Sequence, residues 1–183
     1  MKKLISLFLL YFCVSLYMCV LAQEKTDISK LVELENMYKV DEGIFRSRQP
    51  DKEQFAELEK AGITEILNLR RLHSDEDDAK GTSLKLHWVK SNAEILREKH
   101  LLAALKIIKD RKGNLLVHCK HGSDRTGAVI AMYRIVFQDW TKEQAIDEMK
   151  NGGFGFHRIY FNISRLIMNI DVEEFKKKLF EAE

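Results

Sequence analysis

An apolar run, Leu115-Leu116-Val117, leads into His118-Cys119-Lys120-His121-Gly122-Ser123-Asp124-Arg125-Thr126-Gly127, and residues 128–137 then run on as an unbroken helical pattern. A strand, a tight loop and a helix N-terminus must follow one another here, with a cysteine at the strand end and an arginine where the helix opens. Free N–H groups at a helix N-terminus attract anions, and the helix dipole adds to the attraction. A loop that curls round one tetrahedral anion aims several N–H groups at it. Gly122 supplies the backbone freedom to curl, and Gly127, lacking a side chain, lets the new helix pack close to a neighbour. Arg125 offers a planar fork that grips two phosphate oxygens at once. Lys120, His121, Gly122, Ser123 and Asp124 complete the set of candidate binding residues. A helix N-terminus and a nearby guanidinium favour the thiolate, the reactive form of Cys119, and Thr126 is placed to donate its hydroxyl to that sulfur. The stretch is suited to holding a phosphate and attacking its phosphorus.

The pattern His118-Cys119-x-x-Gly122-x-x-Arg125-Thr126-Gly127 resembles the phosphate loop of the cysteine-dependent protein tyrosine phosphatases, and the short chain resembles their small, atypical dual-specificity branch. The likeness extends upstream through Phe45-Arg46-Ser47-Arg48-Gln49-Pro50 and Gly62-Ile63-Thr64-Glu65-Ile66-Leu67-Asn68-Leu69-Arg70 and covers roughly residues 37–160. The resemblance implies a phosphomonoester hydrolase without metal or other cofactor. Cys119 attacks in line, a phosphocysteine forms, and water hydrolyses it. Arg125 and the loop N–H groups stabilise the charge on the equatorial oxygens in both steps. Phosphoproteins are the substrates implied first. Lys120, directly after the cysteine, resembles members that act on inositol phosphates, so an inositol polyphosphate is the alternative. A catalytically weak phosphate-binding module is a further one.

The leaving group needs a proton, and relatives usually keep an aspartate for it on the loop after the preceding strand. The matching stretch, residues 87–98, contains no aspartate. Three candidates stand in its place: Asp124, inside the phosphate loop, and Glu94 and Glu98, in the expected region. The Asp124-Arg125-Thr126 ending resembles that of myotubularin-type lipid phosphatases, where the loop aspartate serves. Asp124 also reads simply as an acid favoured at a helix start by the dipole. His118 is expected to support the loop. Arg46, Arg48, Arg70 and Arg71 are candidate substrate contacts.

Strands are predicted at residues 37–40, 44–46, 65–69, 84–89 and in the run before the loop. Helices are predicted from Pro50 through residue 59, closed by Gly62, and over 101–109 with Leu101, Leu102, Leu105 and Ile108 on the core face. Others follow over 128–137, from the capping box Thr141-Lys142-Glu143-Gln144 through 149, and as one or two helices over 163–180. Strands alternating with helices imply an α/β fold, a mostly parallel central sheet flanked by helices on both faces. Asp75-Glu76-Asp77-Asp78 reads as a solvated loop. Gly152-Gly153-Phe154-Gly155-Phe156-His157 reads as a helix stop followed by core phenylalanines, or alternatively as a loop that approaches the site and walls it with aromatics.

The N-terminus, Met1-Lys2-Lys3 followed by an apolar run over residues 4–21 and Ala22, has the form of a secretory signal peptide over 1–22. Export as a secreted or periplasmic protein is the expectation, and an uncleaved membrane anchor the alternative. Cleavage removes Cys13 and Cys19 and leaves Cys119 as the sole cysteine, so no internal disulfide competes for it. It also removes Lys2 and Lys3, taking the formal charge from +2 to about zero, too little for a global field that attracts nucleic acid. The expected partner is therefore a phosphoester substrate, with no nucleic acid and no membrane once the signal is gone. Residues 23–183 are expected to form one domain acting as a monomer.

Overall fold

Asp27 opens the part of the chain that this computed structural model describes, residues 27–181; the signal-peptide reading of residues 1–22 lies outside it. Asp27 accepts the Ser29 N–H at 3.1 Å and caps a single 3-10 turn, Ile28–Lys30. Five strands then build one sheet: β1 (Tyr38–Asp41), β2 (Ile44–Ser47), β3 (Glu65–Asn68), β4 (Lys85–Trp88) and β5 (Leu115–His118), in spatial order β1-β2-β5-β3-β4. β1 and β2 are an antiparallel hairpin, and the remaining pairings are parallel. β2, β3 and β5 are buried throughout. Strands covered on both faces lose the polar alternation of a half-wet sheet, which is why Leu115-Leu116-Val117 reads as a continuous apolar run.

Alternation along these strands divides the core in two. Ile44, Leu67, Leu115 and Val117 face one cluster, built with helices α2 (Glu98–Asp110), α3 (Asp124–Phe137), α4 (Lys142–Asn151), α5 (Phe161–Asn169) and α6 (Val172–Phe180). Phe45, Ile66 and Leu116 face the other, with Phe55 and Leu58 of helix α1 (Lys52–Lys60). The mostly parallel sheet with helices on both faces is the architecture expected. α3 is buried along nearly its whole length. Gly127 permits this: a Cβ there would lie 2.9 Å from Met149 Cγ on α4.

Several boundaries differ from expectation. α1 starts at Lys52 and not at Pro50, because Asp51 and Gln54 form a capping box (Gln54 N–H to Asp51 Oδ1, 2.9 Å; Asp51 N–H to Gln54 Oε1, 3.0 Å). Satisfying two orphan donors outweighs the preference of proline for a first helical position. α2 begins at Glu98, a turn earlier than its apolar spacing suggested. The C-terminal segment is two helices, because Ile170 is extended and Asp171 caps α6, accepting the Glu174 N–H at 3.0 Å. Among the described residues no helix is long and apolar enough to cross a membrane.

β5 ends at His118, between Ser47 of β2 and Asn68 of β3. The loop that follows therefore opens at the carboxyl edge of three parallel strands, where ligands bind in sheets of this kind.

Candidate active site

Cys119 leaves β5 directly and is a free thiol, buried at the floor of the loop. Gly122 turns the chain with φ +72°. A Cβ there would sit 2.6 Å from the Ser47 carbonyl group, so both the conformation and the close approach require glycine. Ser123 precedes α3 without capping it through its side chain, which leaves the first-turn N–H groups without intrahelical partners. Arg46, expected to touch substrate, instead lies behind the loop: it is 1 % exposed, donates through Nη2 to Gly122 O at 2.7 Å, and stacks 3.8 Å over the Phe154 ring. Burial pushes its guanidinium down to about 10, and the Glu148 and Cys119 charges oppose the fall. It remains a cation at neutral pH.

His118 supports the loop as expected, through a partner that sequence reading missed. Its Nε2 lies 2.8 Å from Asp75 Oδ2, with both side chains buried. Asn68 Nδ2 and Gln49 Nε2 donate to Asp75 Oδ1 at 2.9 and 3.0 Å. Burial pushes the Asp75 carboxyl up, but the bonds from His118 and Gln49 outweigh it and hold the group below its ordinary value. The solvated-loop reading holds for Glu76 and Asp77 and fails for Asp75.

A cavity of about 450 Å³ opens over the loop, lined by Arg70, Arg71, Lys120, His121, Asp124, Arg125 and His157, with Ser91, Asn92 and Tyr160 among the remaining walls. Arg70 and Arg71 thus take the place expected of them, and Arg46 and Arg48 do not. Arg125 Nη1 donates to Ser91 O at 3.2 Å. Its Nε and Thr126 Oγ1 are buried without hydrogen-bond partners among the described residues, so the expected bond from Thr126 to sulfur is not made. Buried donors without acceptors are rare in folded proteins. Five such side-chain atoms occur among the described residues; two of them, Arg125 Nε and Thr126 Oγ1, share an eight-residue stretch with a free thiol, and an oxyanion bound in the cavity would satisfy Arg125, which lines it.

The three acid candidates separate. Glu94 sits exposed on a 3-10 turn, Ala93–Ile95, and Glu98 opens α2 with its Oε1 3.0 Å from Lys178 Nζ. Neither lines the cavity, and Asn92 faces it from that loop. Asp124 lines the cavity and is buried. Its Oδ1 accepts the His157 backbone N–H at 2.9 Å, and His157 Nδ1 lies 2.9 Å from Oδ2. The glycine-rich segment stops the preceding helix at Gly152 and also reaches the site, as the alternative reading has it, but its phenylalanines do not wall the cavity: Phe154 and Phe156 are half-buried outside the lining, and Phe156 packs against the main core cluster. Gly153 and Gly155 turn it with φ of 85° and 72°. Asn36 Nδ2 ties it to the phosphate loop, donating to His121 O at 2.8 Å and Phe154 O at 3.2 Å.

Ligand atoms of His121, Asp124 and His157 lie within 4.8 Å of one another. The set offers one carboxylate, already hydrogen-bonded, amid Arg70, Arg71, Lys120 and Arg125, and that balance of charge favours an anion over a metal cation. Burial, with Lys120 and His157 nearby, holds the His121 ring below its ordinary value.

The tyrosine phosphatase family model matches residues 31–182. The dual specificity protein phosphatase TpbA of Pseudomonas aeruginosa is 29% identical over 152 residues, spanning 81% of this chain and 68% of TpbA. Inositol diphosphatase DSP2 of Oryza sativa subsp. japonica is 32% identical over 125 residues, 63% of this chain and 61% of that one. The TpbA crystal structure superposes with a TM-score of 0.71 at 28% identity, covering 79% of this chain and 91% of TpbA, and a cysteine-to-serine TpbA was crystallised with phosphotyrosine. The catalytic core of the S. cerevisiae PP-IP phosphatase SIW14, in complex with citrate, gives 0.71 at 27% identity over 83% of this chain and 95% of its own. With the family model spanning the sheet, the phosphate loop and the helices behind it, this chain belongs to the tyrosine phosphatase family, in its atypical dual-specificity branch, and is a cysteine-dependent phosphatase.

Proposed function

We propose that the enzyme hydrolyses phosphomonoesters on proteins through a phosphocysteine at Cys119. The observation that carries this is the coincidence of a free, buried Cys119 with nearby donors that no acceptor among the described residues satisfies, Arg125 Nε and Thr126 Oγ1. In-line attack of Sγ on phosphorus breaks the bond to the leaving oxygen. Arg125, the first-turn N–H groups of α3 and the Lys120–Ser123 backbone hold the equatorial oxygens as charge develops on them, and removing one such donor costs about 10²–10³ in rate. Water then attacks the phosphocysteine, and the Thr126 hydroxyl, buried without a partner among the described residues, is available to help the sulfur depart. Phosphotyrosine in the TpbA complex supports a protein substrate. Export is part of the proposal and rests on residues 1–22 alone.

A second reading has its own observation. Arg70, Arg71 and Lys120 add three cations to the cavity beyond Arg125, more than one phosphate needs. An inositol polyphosphate would use them, as the names of the rice and yeast relatives suggest.

Hydrolysis of para-nitrophenyl phosphate, a phosphotyrosine peptide, a phosphoserine peptide and inositol hexakisphosphate, each with chelator present, separates the two. Turnover that falls to background in Cys119→Ser and is highest on a peptide supports the first reading. Preference for the inositol compound, reversed by Arg71→Ala, supports the second. A wild-type protein that binds vanadate and turns over none of the four is a binding module, and the proposal fails.

A further inference from the structure

We infer that His157, oriented by Asp124, is the proton donor to the leaving group, an inference that rests on the phosphocysteine reading above. Expelling an alkoxide or phenoxide requires a proton, and a positioned acid is worth about 10²–10⁴ in rate. The donor must face the cavity and hold a proton that it can release near neutral pH. Arg70, Arg71, Lys120 and Arg125 line the cavity, but guanidinium and ammonium groups hold their protons too tightly. Asn92, on the loop where relatives keep an acid, has none to give. Tyr160 lines the cavity too, but a phenol is too weak an acid to release its proton readily near neutral pH. His121, Asp124 and His157 remain.

Geometry distinguishes them. Asp124 is enclosed, and both of its oxygens are engaged by His157: Oδ1 by the backbone N–H at 2.9 Å and Oδ2 by the ring at 2.9 Å. A carboxylate can only accept, so Nδ1 carries the hydrogen in that bond and Nε2 is the nitrogen left for a substrate. The His157 side chain is 48 % exposed against 8 % for Asp124, so the imidazole presents the dyad to the cavity. A buried carboxylate behind an imidazole fixes the ring and stabilises the imidazolium. His121 lacks such support: its ring lies 5.5 Å from the His157 ring, and burial with Lys120 nearby keeps it toward the neutral form. Tyr160 meets the His157 ring edge-on at 6.2 Å. His157 thus meets Asp124 of α3 by hydrogen bond and the rings of His121 and Tyr160, and Lys120, Arg125, Arg70 and Arg71 are the charged groups that line the same cavity.

The step balances. Sγ of Cys119 forms a bond to phosphorus as the bond to the leaving oxygen breaks. That oxygen keeps the electron pair and takes the Nε2 proton of the imidazolium, leaving as a neutral alcohol. In the second step water attacks phosphorus and the P–S bond breaks to give the thiolate. The water proton passes to Nε2, and inorganic phosphate and the imidazolium are restored.

The test compares wild type, His157→Gln and Asp124→Asn on aryl phosphates of rising leaving-group pKa and on a phosphoserine peptide, with kcat/KM followed against pH. Vanadate affinity and Tm are measured on each variant. His157→Gln is expected to lose about 10²-fold on the phosphoserine peptide and little on para-nitrophenyl phosphate, to steepen the dependence on leaving group, and to lose the alkaline limb of the pH profile. Asp124→Asn shows the same signature more weakly, and both variants still bind vanadate, which reports an intact phosphate loop. An equal loss on every leaving group, or no loss at all, overturns the inference. So does a leaving-group signature in Asp124→Asn that is absent from His157→Gln. A wild-type protein without turnover removes the phosphocysteine reading and this inference together, whereas active wild type with a flat His157→Gln response removes only the inference.

Discussion

The loop from Cys119 to Arg125 has a back and a front, and they are built in opposite ways. At the back, His118 is locked to Asp75, Asp75 to Asn68 and Gln49, and Arg46 through Nη2 to the Gly122 carbonyl, all out of water but the half-buried Gln49. At the front, Lys120 and His121 are exposed, Arg125 Nε and Thr126 Oγ1 lack partners, and His157 stands half in solvent. The back makes the front possible. Unsatisfied donors tend to collapse onto whatever acceptor lies near, and they stay aimed at a future oxyanion only when the surrounding chain is fixed. Catalysis by preorganised dipoles needs that rigidity before the substrate arrives.

The largest effect should come from removing the back. Asp75→Ala leaves His118 buried without its carboxylate and takes one acceptor each from the Asn68 and Gln49 amides, which keep the His73 and Pro50 carbonyls. Breaking a buried pair from one side costs about 3–5 kcal/mol, visible as a lower Tm and a lower denaturation midpoint. The sign with pH follows from the depressed Asp75 carboxyl. Its stabilisation is fully present above the unfolded value of about 3.9 and is lost as pH falls through the lower folded value. The gap between wild type and Asp75→Ala should therefore be wide at pH 7 and should close below about pH 4. A gap that stays constant into acid would mean that Asp75 holds the back by shape and not by charge.

Next is the hinge between the two sides. Gly122→Ala places a methyl group 2.6 Å from the Ser47 backbone at φ +72°, so the loop must move. A displacement of about 1 Å at a catalytic group can cost about 10²-fold in kcat. Gly153→Ala is the control: its φ is +85°, yet nothing lies within 4 Å of the added Cβ. It carries only the backbone cost, about 1–2 kcal/mol, and should leave kcat close to wild type. Equal losses in the two variants would show that left-handed backbone alone, and not the contact with Ser47, sets the loop.

These regions differ also in how well sequence announces them. The front of the loop is local: Cys119, Gly122, Arg125 and the helix that follows lie in one stretch, and so does the capping box of α4, Thr141 with Gln144. Local hydrogen bonds leave a spacing that can be read. The back is assembled across the fold. Asp75 lies 43 positions from His118, inside an acidic run where nothing marks it apart from Asp77. His157 lies 33 positions from Asp124, and the three glycines before it permit an approach to the site without specifying its target. Arg46 carries the same charge as Arg70, and only the pairing of β2 with β5 puts one behind the loop and leaves the other facing the cavity. The Asp51–Gln54 box was present in the sequence and was masked by the stronger cue of Pro50.

The smallest effect should be at the two glutamates of the region where relatives keep their acid, and it probes the front from outside. Glu98 is spent on Lys178 of α6 at 3.0 Å, with both side chains substantially exposed, and exposed pairs of this kind contribute little. Glu94 faces solvent from a 3-10 turn and does not line the cavity. Glu98→Gln and Glu94→Gln are each expected to keep kcat/KM on the phosphoserine peptide within about twofold of wild type, the range of a lost surface pair, with an unchanged dependence on leaving group. That pairing of results matters more than either value. An uncatalysed alkoxide departure would be slow enough to register the loss of any true donor, so silence at both glutamates leaves the proton to the cavity side of the loop. A tenfold loss confined to poor leaving groups in Glu94→Gln would instead mean that residues 91–97 close over the phosphate during turnover, and the front would then be mobile where the back is fixed.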